Sequence, residues 1–125
     1  TGVQTCALPI SNDSIRIKGD GTASRSYLHV EDLAQWLITL HEKAASRAIY
    51  NLGAVREVTI RDLAETIARL SEQKKPVIVE GKLTDYAGRS RYFPDSRAIR
   101  DALGVRESLS LDQALSSLLT IATSL

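Results

Sequence analysis

The apolar residues of this chain change their spacing along the sequence, and this change constrains the fold more than any other feature. Short runs rich in β-branched and aromatic residues alternate with longer runs in which apolar residues recur every three or four positions. The first pattern is typical of strands and the second of amphipathic helices. The predicted strands are Ser14–Lys18, Tyr27–Val30, Ala48–Leu52 and Pro76–Glu80.

Four helices are predicted between and after these strands. The first runs from Glu31 to near Ala45, the second opens at Thr59, a third is capped by Asp95 and stops at Gly104, and the last follows the capping box Ser110–Gln113. The predicted buried stripe of the first helix is Leu33, Ala34, Leu37, Ile38 and Leu40. That of the second is Ile60, Leu63, Ala64, Ile67 and Ala68. The order β-β-α-β-α-β-α-α predicts an α/β fold in which amphipathic helices cover a small mixed sheet.

Composition excludes several classes of function. A chain of 125 residues holds one domain at most, and its net charge of +1 gives no field that favours nucleic acid or an anionic membrane. No apolar run approaches the roughly 20 residues of a membrane span. One cysteine and two histidines, His29 and His41, argue against a disulfide framework and a zinc site.

The opening segment TGVQTCALPI, Thr1–Ile10, has no charged residue and contains Pro9. It lacks the basic region of a signal peptide, and its proline interrupts a strand pattern. The segment is similar, without a mismatch, to the translation of a widely used sequencing-library adapter. We therefore expect residues 1–11 to be adapter-derived and non-native, and residues 12–125 to be the protein proper with its N-terminal portion missing.

The turn Gly19-Asp20-Gly21 raises the possibility of a dinucleotide site. The dinucleotide pattern requires a third glycine, where Ser24 stands, and a helix, where an extended stretch is expected. A hairpin or tight turn is therefore the preferred prediction. The sequence contains no Tyr-x-x-x-Lys, G-x-S-x-G or H-E-x-x-H motif, and His29 is interpreted as a packed or surface residue.

Three arginines flank glycine-containing segments and aromatic residues. Arg25 precedes Tyr27, and Arg89 and Arg91 lie in the loop Gly81–Tyr92. Planar guanidinium groups on loops suit bidentate binding of phosphate oxygens. Ordinary surface salt bridges explain the same spacing, so the residues alone leave both interpretations open.

Four blocks of sequence together resemble a known family. They are GDGTASRSYLHVEDLA from Gly19, AIYNLGAVREVTIRDLA from Ala48, RYFPDSRAIRDALGV from Arg91 and SLDQAL from Ser110. In this order they resemble the C-terminal part of an extended short-chain dehydrogenase/reductase (SDR), and more narrowly the NAD-dependent nucleotide-sugar epimerases and dehydratases. The resemblance implies a Rossmann-type enzyme whose N-terminal domain holds NAD and Tyr-x-x-x-Lys, and whose C-terminal part binds the nucleoside-diphosphate sugar.

The resemblance also implies roles for individual residues. Arg25 matches the arginine that contacts the substrate pyrophosphate, and Tyr27 matches an aromatic residue near the nucleotide. Ile17 and Lys18 match the strand that flanks the base, and Asn51 matches the asparagine of Y-N-x-G. The family's second phosphate arginine falls at Asp85 here, so Arg89 is the expected substitute.

This resemblance predicts a substrate-binding portion of a cytoplasmic, homodimeric NAD-dependent epimerase or dehydratase. The fragment alone is expected to be inactive, because the catalytic motif and the NAD site belong to the missing part. The competing interpretation is a self-contained α/β module that binds a protein partner or a small ligand without catalysis.

Overall fold

The computed structural model describes residues 13–82 and 90–123. Within these ranges the chain forms five short strands and four helices. The strands are β1 (Ile15–Ile17), β2 (Ser24–Ser26), β3 (Glu57–Thr59), β4 (Val77–Val79) and β5 (Arg91–Tyr92). The helices are α1 (Val30–Lys43), α2 (Ile60–Leu70), α3 (Arg97–Leu103) and α4 (Leu111–Thr123). The mixed α/β class predicted from the sequence is confirmed.

The strands form two sheets rather than one. In the first sheet, β1 and β4 run parallel, with Ile15 opposite Val77. In the second, β2 lies in the middle, antiparallel to β3 and parallel to β5. The first two strands therefore do not form a hairpin. A parallel partner requires a long crossover, so β1 pairs with a strand that follows α2.

The segment Gly19–Gly21 is a tight turn, as the sequence predicts. Asp20 Oδ1 accepts hydrogen bonds from the backbone N–H of Thr22, at 2.9 Å, and from its hydroxyl, at 2.7 Å. The backbone N–H of Gly81 donates to Gly19 O, at 3.1 Å, and a Cβ on Gly81 would lie 2.3 Å from the carbonyl carbon of Gly19. The turn therefore brings the chain back against the end of β4.

Two predicted strands are wrong. The extended stretch predicted at Tyr27–Val30 lies too far along the chain, because the strand β2 is Ser24–Ser26. Val30 is already the first residue of α1, and His29 is its N-cap. Ala48–Leu52 forms no strand in the described part of the chain. Its residues nonetheless alternate, with Ile49 93% exposed and Tyr50 and Leu52 packed against the core. The segment has a strand's burial pattern, but it forms no strand ladder with any of the residues that the structure describes.

The buried face of α1 also differs from the prediction. Asp32 and Trp36 are buried, whereas Leu37 and Ile38 are each about half exposed. Trp36 packs with Ile99 and Val105. The face of α1 that carries Trp36 packs toward α3, because the indole ring buries more apolar surface than the predicted aliphatic face would.

Helix α2 follows its predicted pattern. The Thr59 hydroxyl accepts a hydrogen bond from the Asp62 N–H at 3.0 Å, and Leu63 and Ala64 are buried. The helix packs against β1 and β4 of the first sheet and against α4, and it continues directly from β3 of the second sheet. None of the helices within residues 13–82 and 90–123 is long and apolar enough to cross a membrane.

Candidate functional site

The Arg25 guanidinium is held in place by neutral acceptors. Arg25 lies in the middle of β2, directly opposite Val58 of β3 and Tyr92 of β5. Its Nη1 donates to the backbone oxygens of Ser24 and Ser90, each at 2.6 Å, and its Nη2 donates to Ser90 Oγ at 3.0 Å. These bonds restrict the side chain to one orientation while leaving its positive charge in place.

Arg25 forms no ion pair within the described residues. Five other arginines do, and each contacts a carboxylate in that part of the chain. They are Arg16, Arg69, Arg91, Arg97 and Arg100. A partly buried guanidinium that is fixed but not neutralised is suited to bind an anionic group, because its remaining donors favour phosphate or carboxylate oxygens.

Arg91 is a different case, although its sequence context resembles that of Arg25. Its Nε and Nη2 donate to the two carboxylate oxygens of Glu57, at 2.6 and 2.7 Å. The hydrogen bond from Arg91, with a second from Ser24, lowers the pKa of Glu57 from 4.5 to about 2. For Arg91 the salt-bridge interpretation therefore holds.

Tyr27 lines a cavity of about 340 Å³ between the end of β2, the segment before β3 and the start of α4. Its walls also include His29, Arg56, Glu107 and Ser108. His29 Nδ1 accepts the Glu31 N–H at 3.3 Å, so this histidine caps α1. Arg25 does not line this cavity. Arg25 and Tyr27 are therefore close in sequence but do not line the same cavity.

The other predicted site residues are dispersed. Ile17 is 6% exposed in β1, in the sheet that does not contain Arg25. Lys18 and Asn51 are exposed. Arg89 lies outside the described residues, as does the segment 1–11 that was expected to be adapter-derived. The described structure does not gather these residues around Arg25, and their roles stay predictions.

Sequence reasoning missed a buried charged group centred on Arg100. This residue is 7% exposed, and its Cζ lies 4.8 Å from the centroid of the Trp36 ring. Its guanidinium contacts Glu107, Ser96 and a backbone oxygen. The available signal was Arg100 itself, in the block RYFPDSRAIRDALGV, but the helix pattern alone did not predict that this arginine would be buried.

Asp32 forms a second buried polar contact that joins α1 to the segment before α4. Burial raises the pKa of the Asp32 carboxyl, but hydrogen bonds from the hydroxyl and backbone N–H of Ser108 outweigh it and hold that pKa below its ordinary value. Among the described residues no group of three His, Cys, Asp or Glu side chains could hold a metal ion.

The fold matches solved structures of much larger proteins. RMD from Pseudomonas aeruginosa, complexed with NADPH, matches with a TM-score of 0.72 and 25% identity, over 87% of this chain and 36% of that one. UDP-glucuronic acid 4-epimerase from Bacillus cereus, in complex with UDP-glucuronic acid and NAD, matches with a TM-score of 0.76 and 16% identity, over 94% and 38%. The fold is that of part of a Rossmann-type extended SDR.

Sequence comparison narrows this class. Residues 5–53 match the NAD dependent epimerase/dehydratase family. The chain is 34% identical over 108 residues to GDP-L-fucose synthase 1 from Arabidopsis thaliana, a match that covers 83% of this chain and 31% of the relative. The resemblance to the NAD-dependent epimerase/dehydratase family is thereby confirmed, and the chain spans about a third of the length of such relatives.

Proposed function

We propose that residues 12–125 are the part of an NAD-dependent epimerase or dehydratase that binds a nucleoside-diphosphate sugar, and that residues 1–11 are non-native. The observation that carries this proposal is Arg25, which is fixed by Ser24 and Ser90 and has no carboxylate partner in the described residues. A nucleoside-diphosphate sugar supplies the missing anion. Relatives support this substrate class, since one solved structure contains UDP-glucuronic acid and another UDP-glucose.

The proposed role of Arg25 is to anchor the diphosphate. Two guanidinium N–H groups bind phosphate oxygens in a planar fork, and the bonds to Ser90 reduce the entropy lost on binding because the side chain is already oriented. Binding energy at the diphosphate, remote from the sugar ring, then holds the ring for reaction. Tyr27, two residues along the chain, is proposed to lie beside the nucleoside.

The described residues do not fit a dinucleotide cofactor. The Gly19–Gly21 turn leads into β2 rather than a helix, and Ser24 occupies the position of a third glycine. The cofactor is proposed to bind a portion of the larger enzyme outside this chain, and the chain by itself is proposed to bind substrate without turning it over.

The remaining features of the larger enzyme are proposals that rest on the family resemblance. It is proposed to be a cytoplasmic homodimer that converts one nucleotide sugar into another in carbohydrate biosynthesis. Its relatives by name include GDP-L-fucose synthases and trifunctional UDP-glucose 4,6-dehydratases.

One observation favours a second candidate, a self-contained interaction module. Ile49 is 93% exposed, and Leu37 and Ile38 are each about half exposed. Apolar side chains on a surface are suited to contact another protein. A module of this kind gives no reason for an oriented arginine without a carboxylate partner, and it predicts no preference for diphosphates.

Calorimetric titration of the whole chain with UDP and GDP, and with UMP and GMP, tests the proposal. We expect at least one diphosphate to bind more tightly than its monophosphate. Arg25→Ala is expected to weaken diphosphate binding roughly tenfold and to remove the preference, because one charge-assisted contact is lost. Arg47→Ala, an exposed arginine without an ion pair in the described chain, is the matched control and should change neither. Equal binding of diphosphates and monophosphates, or none, would reject the proposed function.

A further inference from the structure

Arg100 contacts a loop that is distant from it in sequence. Its Nη2 donates to the backbone oxygen of Gly53 at 3.1 Å, and its Nε donates to Ser96 Oγ at 3.0 Å. The ring of Trp36 closes one side of the guanidinium. Because Arg100 is buried, water does not compete for these hydrogen bonds. The guanidinium of Arg100 therefore fixes the position of the Gly53 carbonyl.

Glu107 holds the other end of the same loop. Its Oε1 accepts the backbone N–H of Val55 at 2.7 Å and lies 3.2 Å from Arg100 Nη2. The segment 53–55, which we call the 53–55 loop, is therefore bound at its first residue by Arg100 and at its last by Glu107. Because the two side chains also pair with each other, neither end of the loop can shift alone.

The 53–55 loop packs directly against the strand that carries Arg25. A Cβ on Gly53 would lie 3.2 Å from Ser26 Oγ and 2.3 Å from the ring of Pro94. Beyond the loop the chain enters β3, where Val58 is the cross-strand partner of Arg25. The loop therefore leads directly into the strand that pairs with β2 at the residue proposed to bind the diphosphate.

We propose that Arg100 and Glu107 are positioning residues for the diphosphate site, acting through the 53–55 loop; this inference rests on the proposed function of Arg25. Replacing a buried ion pair with apolar residues is often neutral or stabilising, so stability alone does not explain this pair. A planar guanidinium that binds a carbonyl, a hydroxyl and a carboxylate at once fixes geometry, which lysine cannot reproduce.

Two conservative variants test the proposal. Arg100→Lys keeps the charge but not the fork, and Glu107→Gln keeps an oxygen acceptor for Val55 but removes the ion pair. Arg97→Lys is the matched control, because Arg97 lies on the same helix and pairs with Asp95 while its side chain is 84% exposed. Far-UV circular dichroism reports whether each variant is folded, because Trp36 lies against Arg100 and its fluorescence would respond to the substitution itself.

The first measurement needs no ligand. In amide NMR spectra of the unliganded chain, Arg100→Lys and Glu107→Gln should each shift the resonances of Gly53, Val55, Arg25 and Ser26, and Arg97→Lys should leave them in place. Shifts confined to residues 96–107 would overturn the inference whether or not the chain binds nucleotide.

The second measurement is the dissociation constant for UDP or GDP, whichever the wild-type chain binds, at a temperature where every variant is folded. We expect Arg100→Lys to raise it about fivefold, the equivalent of one hydrogen bond, and Glu107→Gln to raise it less. A purely structural role lowers the melting temperature and leaves this constant unchanged, which would overturn the inference. Failure of the wild-type chain to bind any diphosphate would instead reject the proposed function.

Discussion

Arg91 and Glu57 join the two outer strands of the three-stranded sheet across β2. The carboxylate lies 2.6 Å from Arg91 Nε and 2.7 Å from Nη2, and the Ser24 hydroxyl of the central strand donates to the same group. All three strands of the sheet therefore converge on one acidic side chain. This arrangement fixes the strands on either side of Arg25.

The stability of the chain should depend on the ionisation of Glu57. Its pKa is about 2 in the folded chain against 4.5 unperturbed, so its contribution is full above about pH 4.5 and is lost as the pH falls toward about 2. We expect the wild-type melting temperature, followed by Trp36 fluorescence, to fall more steeply over this range than that of Glu57→Gln. Glu65→Gln, on the exposed side of α2, should retain the wild-type slope. Parallel profiles for the wild type and Glu57→Gln would contradict this prediction.

Ser90 should matter to ligand binding only through Arg25. Its side chain and backbone oxygens accept from the guanidinium, and Ser90→Ala removes only the side-chain contact. We expect Ser90→Ala to weaken diphosphate binding about threefold, since one exposed hydrogen bond is lost. In an Arg25→Ala background the same change should have no further effect, as calorimetry of the double variant would show. Additive losses would mean that Ser90 contacts the ligand independently.

Gly53→Ala should destabilise the chain by about 1–3 kcal/mol, the usual cost of overpacking. The new methyl group would lie 2.3 Å from Pro94 Cγ, and the proline ring is too rigid to move aside. Gly19→Ala is the control, because no atom of residues 13–82 or 90–123 lies within 4 Å of a Cβ at that position. Urea unfolding measures both variants. Equal midpoints for the two would show that the Gly53 contact is not made in solution.

The capping box of α4 should contribute measurably to stability. The Ser110 N–H donates to Gln113 Oε1 at 2.9 Å, and the Gln113 N–H donates to Ser110 Oγ at 3.3 Å. Ser110→Ala is expected to lower the free energy of unfolding by about 1 kcal/mol. Ser117→Ala, at an exposed position in the same helix, should not lower it. Circular dichroism during urea unfolding compares the two, and a smaller loss for Ser110→Ala than for Ser117→Ala would refute the role of the cap.

Several helix ends could be predicted from the sequence because they depend on neighbouring residues, although the predicted Asp95 cap of α3 was wrong, since the N-cap is Ser96 and its side chain makes no cap hydrogen bond. Thr59 caps α2, Ser110 and Gln113 cap α4, and Gly104 ends α3 in the left-handed region with φ of 70°. Each of these features is complete within a few residues of chain. A local sequence pattern is therefore sufficient to predict where these three helices are capped or end.

The strands and the buried face of α1 depend on partners that a local pattern does not contain. The three residues of β3 were not predicted, because Glu57–Thr59 gains its strand character from pairing with β2, about 30 residues earlier. Trp36 turns inward because α3 offers Ile99 and Val105. The same limit applies to the site, where motif resemblance indicated Arg25 but not the buried Arg100.

Helix α2 lies against β1 and β4 of the two-stranded sheet and continues directly from β3, and its first two amides donate to the backbone oxygens of Ala23 and Gly21. Unfolding of the helix would therefore uncover β1 and β4 and break the hydrogen bonds that hold the segment leading into β2. Hydrogen exchange should therefore report one common opening free energy for the slowest amides of β1 and β2, although the two strands share no hydrogen-bond ladder.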